Sequence, residues 1–192
     1  MTIPVIINHS FSILNYRNEH INDQQEEICV EPCAQSDRDR GYGPGRRVRN
    51  LIVHIGMRTV TLIIIHCSAT REGQSFGFGQ CRTDHIRHRR FRDIGYHFYI
   101  TRDGGIHRGR PLEQTGAHCR NHNRHSVGIC YEGGLDRRGR PKDTRTREQK
   151  ASLLALLREL KRLFPKALIV GHHDLDPQKD CPCFDAAKEY DF

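Results

Sequence analysis

The 192-residue chain has no tryptophan, no long apolar run and no recognisable leader. Runs such as Leu62–Ile65 fall far short of the ~20 apolar residues that a membrane-spanning helix needs, so a helical membrane protein is excluded. The first residues carry neither the charged start nor the apolar stretch of a secretory signal, and synthesis in the cytoplasm with no visible export route is expected. No complete helix-turn-helix or zinc-finger spacing is present. The 8 cysteines are an even number, but a chain of this length without a leader is not a small disulfide-stapled domain. They are expected as thiols of a reduced compartment.

Positive charge is present in excess: 31 Lys+Arg against 23 Asp+Glu, a formal charge of +8. Residues 1–56 hold 6 and 7 of these, a net of −1, whereas residues 57–192 hold 25 and 16, a net of +9. The basic character belongs to the second part, and it suits an anionic partner. The length allows one ordinary domain with an extension. Residues 1–56 show no sustained apolar period, and QSDRDRGYGPGRRVRN (35–50) has the composition of a linker or disordered segment. We therefore expect an N-terminal extension over 1–56 and a folded domain over 57–192. Within the extension, Cys29 and Cys33 form a C-x3-C pair with no second pair at zinc-ribbon distance, which reads as two thiols.

Beyond Met57 the pattern sharpens. RTVTLIIIH (58–66) is β-branched and nearly continuously apolar, as a strand covered on both faces requires. CRTDHIRHRRF (81–91) predicts a short surface helix with Ile86 and Phe91 facing inward. YHFYITRDGGIHRG (96–109) predicts strand, Asp-Gly-Gly turn and strand. SVGICYEG (126–133) is a further strand. Thr146 and Gln149 form a capping box, behind which Leu153, Leu156, Leu157, Leu160 and Leu163 repeat at helical spacing until Phe164 and Pro165. ALIVG (167–171) is the last strand. This alternation predicts an α/β fold, a mixed central sheet flanked by helices.

Chemistry gathers directly after two of these strands. One cluster is HCSAT (66–70); the other is GHHDLDPQKDCPCFD (171–185). A histidine at the end of a buried strand is held rigidly at the sheet rim. Imidazole and thiolate together favour zinc over magnesium or calcium, and three protein ligands leave a position for water, the catalytic arrangement.

HCSAT, DIGYHFYI (93–100), GAHCRNHNRHSVGIC (116–130) and HHDLDPQKDCPCFD (172–185), in that order, resemble the zinc-dependent N-acetylmuramoyl-L-alanine amidases of the phage-lysozyme type. Peptidoglycan recognition proteins share that fold. The resemblance covers about residues 60–185 and implies His66, His172 and Cys181 as zinc ligands, Tyr96 and Lys179 as catalytic residues, and a substrate groove that includes His118 and Asn123. It implies a cell-wall-lysing hydrolase of phage or prophage origin whose substrate is peptidoglycan, cut between N-acetylmuramic acid and L-alanine. The chemistry of the residues agrees: zinc activates water and polarises the amide, while Lys179 and Tyr96 offer a cation and a phenolic donor for the oxyanion. His173 competes with His172 as the ligand. Cys183 stands where the family usually has a small residue, and Phe91 stands near a position where relatives often have tryptophan.

Two other readings compete. A peptidoglycan-binding module without activity would have this fold, but relatives of that kind commonly lack the ligand cysteine, which is present here as Cys181. A nucleic-acid-binding protein would use RHRRFR (87–92) and DRRGRPK (136–142), for which solvated surface loops are the plainer account.

Overall fold

The computed structural model describes residues 58–192. The expected extension over 1–56, with Cys29 and Cys33, lies outside the described residues. Strands β1 (Leu62–Cys67), β3 (Phe98–Ile100), β4 (Ile106–Arg108), β5 (Ser126–Tyr131) and β7 (Leu168–Gly171) form a mixed sheet in the order β4-β3-β5-β1-β7. The pairs β1–β5, β1–β7 and β3–β5 are parallel; the hairpin β3–β4 is antiparallel. Strands β2 (Thr70–Arg71) and β6 (Gly134–Leu135) make a separate two-stranded ladder. The helices are α1 (Phe78–Arg87), α2 (Arg147–Leu163) and α3 (Ala186–Glu189). No helix among the described residues is long and apolar enough to cross a membrane.

Strand β1 is apolar from Leu62 to Ile65, as suits a strand that lies between two others. Ile63, Ile64 and Ile65 are all fully buried. Its register with β5 pairs His66 with Cys130, and Cys130 in turn pairs with Tyr99 of β3, so these three side chains share a face. Helix α1 brings Cys81 onto that face, where it packs with Ile94, Tyr99 and Cys130. Helix α2 starts at the expected capping box, with Thr146 Oγ1 accepting from the Gln149 N–H at 3.0 Å. It buries Leu153, Leu156, Leu157 and Leu160. The buried Gln149 carboxamide donates to the Ile100 and Glu132 carbonyls, tying the helix start to the ends of β3 and β5.

Helix α1 corrects one expectation. It begins before Cys81 and ends at Arg87, and its buried residues are Cys81 and His85, four apart on one face. Ile86 is turned out to solvent, 39% exposed. Phe91 lies beyond the helix, half-buried, with its ring 5.4 Å from that of His85. The Arg-rich runs also find a plain place. Within 87–92, Arg89 pairs with Asp84 on α1, and Asp136–Arg140 is a turn in which Asp136 pairs with Arg140.

Candidate active site

Parallel strands deliver their carboxyl ends to the same rim of a sheet, and sites are commonly built there. His66 is the penultimate residue of β1. Ile65 pairs with Gly171, the last residue of β7, so the residue after that strand, His172, emerges level with His66. A single 3-10 turn, His172–Asp174, holds it there; Gly171 N–H donates to Asp174 Oδ2 at 2.7 Å. The His66 and His172 ring centroids are 4.6 Å apart.

The chain then loops out and returns with Cys181. Two backbone bonds seat it: the His173 N–H donates to the Cys181 carbonyl at 2.7 Å, and the Cys67 N–H donates to the Cys181 sulfur at 3.1 Å. The ligand atoms of His66, His172 and Cys181 all lie within 4.8 Å of one another. His173 is turned aside, with its Nε2 at 3.2 Å from Asp174 Oδ1. Cys183 is a free thiol 3.8 Å from the free Cys67 sulfur.

The donor set fits zinc. With Zn–N near 2.0–2.1 Å and Zn–S near 2.3 Å, tetrahedral geometry puts nitrogen and sulfur about 3.6 Å apart. His66 Nδ1 lies 3.8 Å from Cys181 Sγ. Burial pushes the His66 pKa well below the usual imidazole value, and the neighbouring His172 adds to this. Burial also lowers His172, helped by the Lys179 ammonium and opposed by Asp176. Both imidazoles are therefore neutral at pH 7, the form that binds a metal.

Around this group the structure places the remaining residues named from the sequence. The Tyr96 ring lies 5.3 Å from His66, half-buried against the apolar cluster under α1. Burial, with the Cys130, Cys181 and Cys81 thiols nearby, raises its phenol well above the ordinary value, so it remains a proton donor. Lys179 is exposed on the loop before Cys181, close enough to bias His172. His118 meets His66 directly, Nδ1 to Nε2 at 3.0 Å. Asn123 faces the backbone: its Oδ1 accepts the N–H groups of His118 and Cys119 at 2.8 and 3.0 Å. The sequence did not single out His85 and His97, both buried beside these residues, and their polar letter hides their burial.

A family model described as N-acetylmuramoyl-L-alanine amidase matches residues 56–184. The chain belongs to this amidase family. Among curated relatives, the endolysin of Enterobacteria phage K11 is 41% identical over 121 residues, which are 63% of this chain and 79% of that one. Among solved structures, the N-acetylmuramoyl-L-alanine amidase LysC from Clostridium intestinale shares 30% identity at a TM-score of 0.55, covering 69% of this chain and 82% of its own. Drosophila PGRP-LB, at 24% identity and a TM-score of 0.55 over 65% of this chain and 75% of its own, shares the fold.

Proposed function

We propose that the chain is a zinc-dependent amidase that hydrolyses the bond between N-acetylmuramic acid and L-alanine in peptidoglycan, and that it acts as a phage-type endolysin. The observation that carries this reading is the convergence at one rim of the sheet of His66 with His172 and Cys181, which lie more than 100 residues further along the chain. A zinc ion held by these three would supply a Lewis acid for the scissile carbonyl and lower the pKa of a water to about 7.

The chain's own residues do the rest. Tyr96 presents a phenol that stays protonated and donates a hydrogen bond to the oxygen on which charge develops. Lys179, two residues before Cys181, brings a cation on a flexible stem to the open side of the site. It balances the same developing charge and can hand a proton to the leaving amine. The buried apolar floor under Tyr96 limits competition by water for its phenol. The net charge of +9 on residues 57–192 attracts the protein to an anionic cell wall. Synthesis in the cytoplasm and action on the wall after release suit the free thiols at all six cysteines of the described residues.

The test is the chemistry released from purified peptidoglycan. New N-terminal alanine, appearing with zinc and abolished by a chelator, is the expected result. New reducing sugar ends would identify a glycosidase instead and refute the proposal.

A further inference from the structure

His118 is 52 residues from His66 in sequence, yet its ring is built into the rim beside it. The resemblance places this histidine in the substrate groove. The hydrogen bonds point to a different task.

The chain of protons can be read from its far end. The Ser126 hydroxyl donates to the His122 carbonyl at 2.8 Å, which leaves its oxygen to accept from His118 Nε2 at 3.4 Å. His118 then carries its proton on Nε2, and its Nδ1 is a bare acceptor. That acceptor lies 3.0 Å from His66 Nε2, so His66 is held as the Nε2–H form. The remaining lone pair of His66, on Nδ1, faces Cys181 Sγ at 3.8 Å, in the direction of the metal. The opposite tautomer pair would put a proton on His66 Nδ1 and block that direction.

The slot that holds His118 is shaped for an imidazole. A Cβ on Gly128 would lie 2.5 Å from its ring, and one on Gly116 would also lie 2.5 Å from it. Gly128 is on β5, in register with Ile64, so its missing side chain opens the sheet face two residues along from His66. The two backbone bonds to Asn123 Oδ1 fix the loop from which the ring projects. The neighbouring His97 locks the other flank. Its Nδ1 accepts from the Gly128 N–H at 3.0 Å, so its Nε2–H donates to the Gln114 carbonyl.

We propose that His118 is a positioning residue for the metal ligand His66: through Nδ1 it holds His66 as the Nε2–H tautomer, with Asn123 and Ser126 supporting it, and so presents His66 Nδ1 to zinc. Metal-binding histidines are oriented in this way by a partner on their second nitrogen, and loss of the partner weakens metal binding about 10–100-fold. This proposal rests on the zinc reading above.

The experiment measures zinc affinity by chelator competition on the full chain and on two variants, His118→Leu and His118→Asn, with thermal unfolding of the zinc-free proteins as a folding control. His118→Leu fills the slot with an apolar group and has no acceptor; its affinity is expected to fall about 10–100-fold. His118→Asn leaves more space but keeps an oxygen near the Nδ1 position, and its affinity is expected to stay within about threefold of the parent. A packing role would favour the leucine, so the order of the two variants separates the roles. In the zinc-loaded parent, imidazole 15N spectra should show His66 protonated at Nε2. Equal zinc affinity in the parent and His118→Leu, with KM alone raised, would return His118 to the substrate groove and overturn the proposal. Failure of the parent itself to take up zinc would overturn the zinc reading, and the proposal with it.

Discussion

His66 and Cys181 reach the same point by opposite routes. His66 leaves the end of a strand whose preceding three residues are fully buried, and it is itself 1% exposed. Cys181 stands at the end of an exposed loop, Pro177–Asp180, with no strand behind it. The first candidate ligand inherits its place from the sheet. The second is held by individual struts. Tyr131 Oη donates to the Pro182 carbonyl at 2.7 Å, and the buried guanidinium of Arg145 lies 3.2 Å over the Phe184 ring. Precision on the strand side is a by-product of folding, whereas on the loop side it depends on a few named contacts.

The largest effect separates the proposed ligand from the proposed helper within the loop. Cys181→Ser is expected to lose zinc and to drop wall hydrolysis by on the order of 10³-fold or more, since it removes the metal's contribution to the barrier. Lys179→Ala is expected to keep zinc and lose about 10²–10³-fold, the usual cost of one oxyanion donor. Metal content by mass spectrometry and dye release from labelled peptidoglycan check both. Undiminished release by Cys181→Ser would remove it from the ligand set.

The next prediction tests the struts. Arg145 bonds to both oxygens of Asp143 and to both of Glu189, and its side chain is fully buried. Burial alone would raise the Asp143 carboxyl; the Arg145 bonds outweigh this and hold it to about 2. Arg145→Leu takes the cation from Glu189, leaves Asp143 with Lys150 alone at 3.3 Å, and removes the stack on Phe184, three residues from Cys181. A loss of about 3 kcal/mol is expected. Zinc affinity should fall too, although Arg145 touches no ligand. Denaturant melts with and without zinc measure the two effects; unchanged zinc affinity in a destabilised variant would show that the loop holds its shape without this strut.

Both routes were only partly legible in the sequence. Strand β1 and helix α2 could be read directly, because an unbroken β-branched run and a capped leucine repeat are local patterns that burial reinforces. The three candidate ligands could be found because each ends or follows such an element or a quoted motif. The interior histidines could not. His97 and His85 count as polar in any periodicity, and what buries them is a backbone N–H aimed at a ring nitrogen, Gly128 to His97 and Gly95 to His85. The His66–His118 contact depends on register between β1 and β5 and on two glycines, none of which leaves a local signal. The β2–β6 ladder pairs only two residues from each strand, too few for a pattern.

Buried neutral histidines carry a pH signature. Burial brings His97 to about 4, with Arg58 and Arg110 adding to it against the Gln114 carbonyl. The unfolded chain binds a proton near pH 6.5 that the folded one refuses until about pH 4. His97 therefore favours folding fully above pH 6.5, and that contribution is lost as pH falls from 6.5 toward 4, by about 3 kcal/mol. Thermal melts of the zinc-free protein across this range should show the loss, and His97→Asn should flatten it while keeping an acceptor for Gly128. An identical slope in the variant would assign the pH dependence to other groups.

The smallest expected effect concerns the helix that covers the Tyr96 side of the site. The sequence pattern makes Ile86 an anchor of α1; the structure turns it to solvent and buries its neighbour His85 instead. His85 is the better-held residue because its Nδ1 accepts the Gly95 N–H at 2.9 Å and its ring lies 5.3 Å from that of Tyr96. Ile86→Lys should therefore change stability by no more than about 0.5 kcal/mol, as surface substitutions do, with zinc affinity and wall hydrolysis unaltered. His85→Leu keeps the bulk but strands the Gly95 N–H, at a cost of about 1–3 kcal/mol. It should also lower turnover through Tyr96. If the two variants destabilised the protein equally in denaturant melts, the inward face of α1 would be the one the apolar pattern suggested.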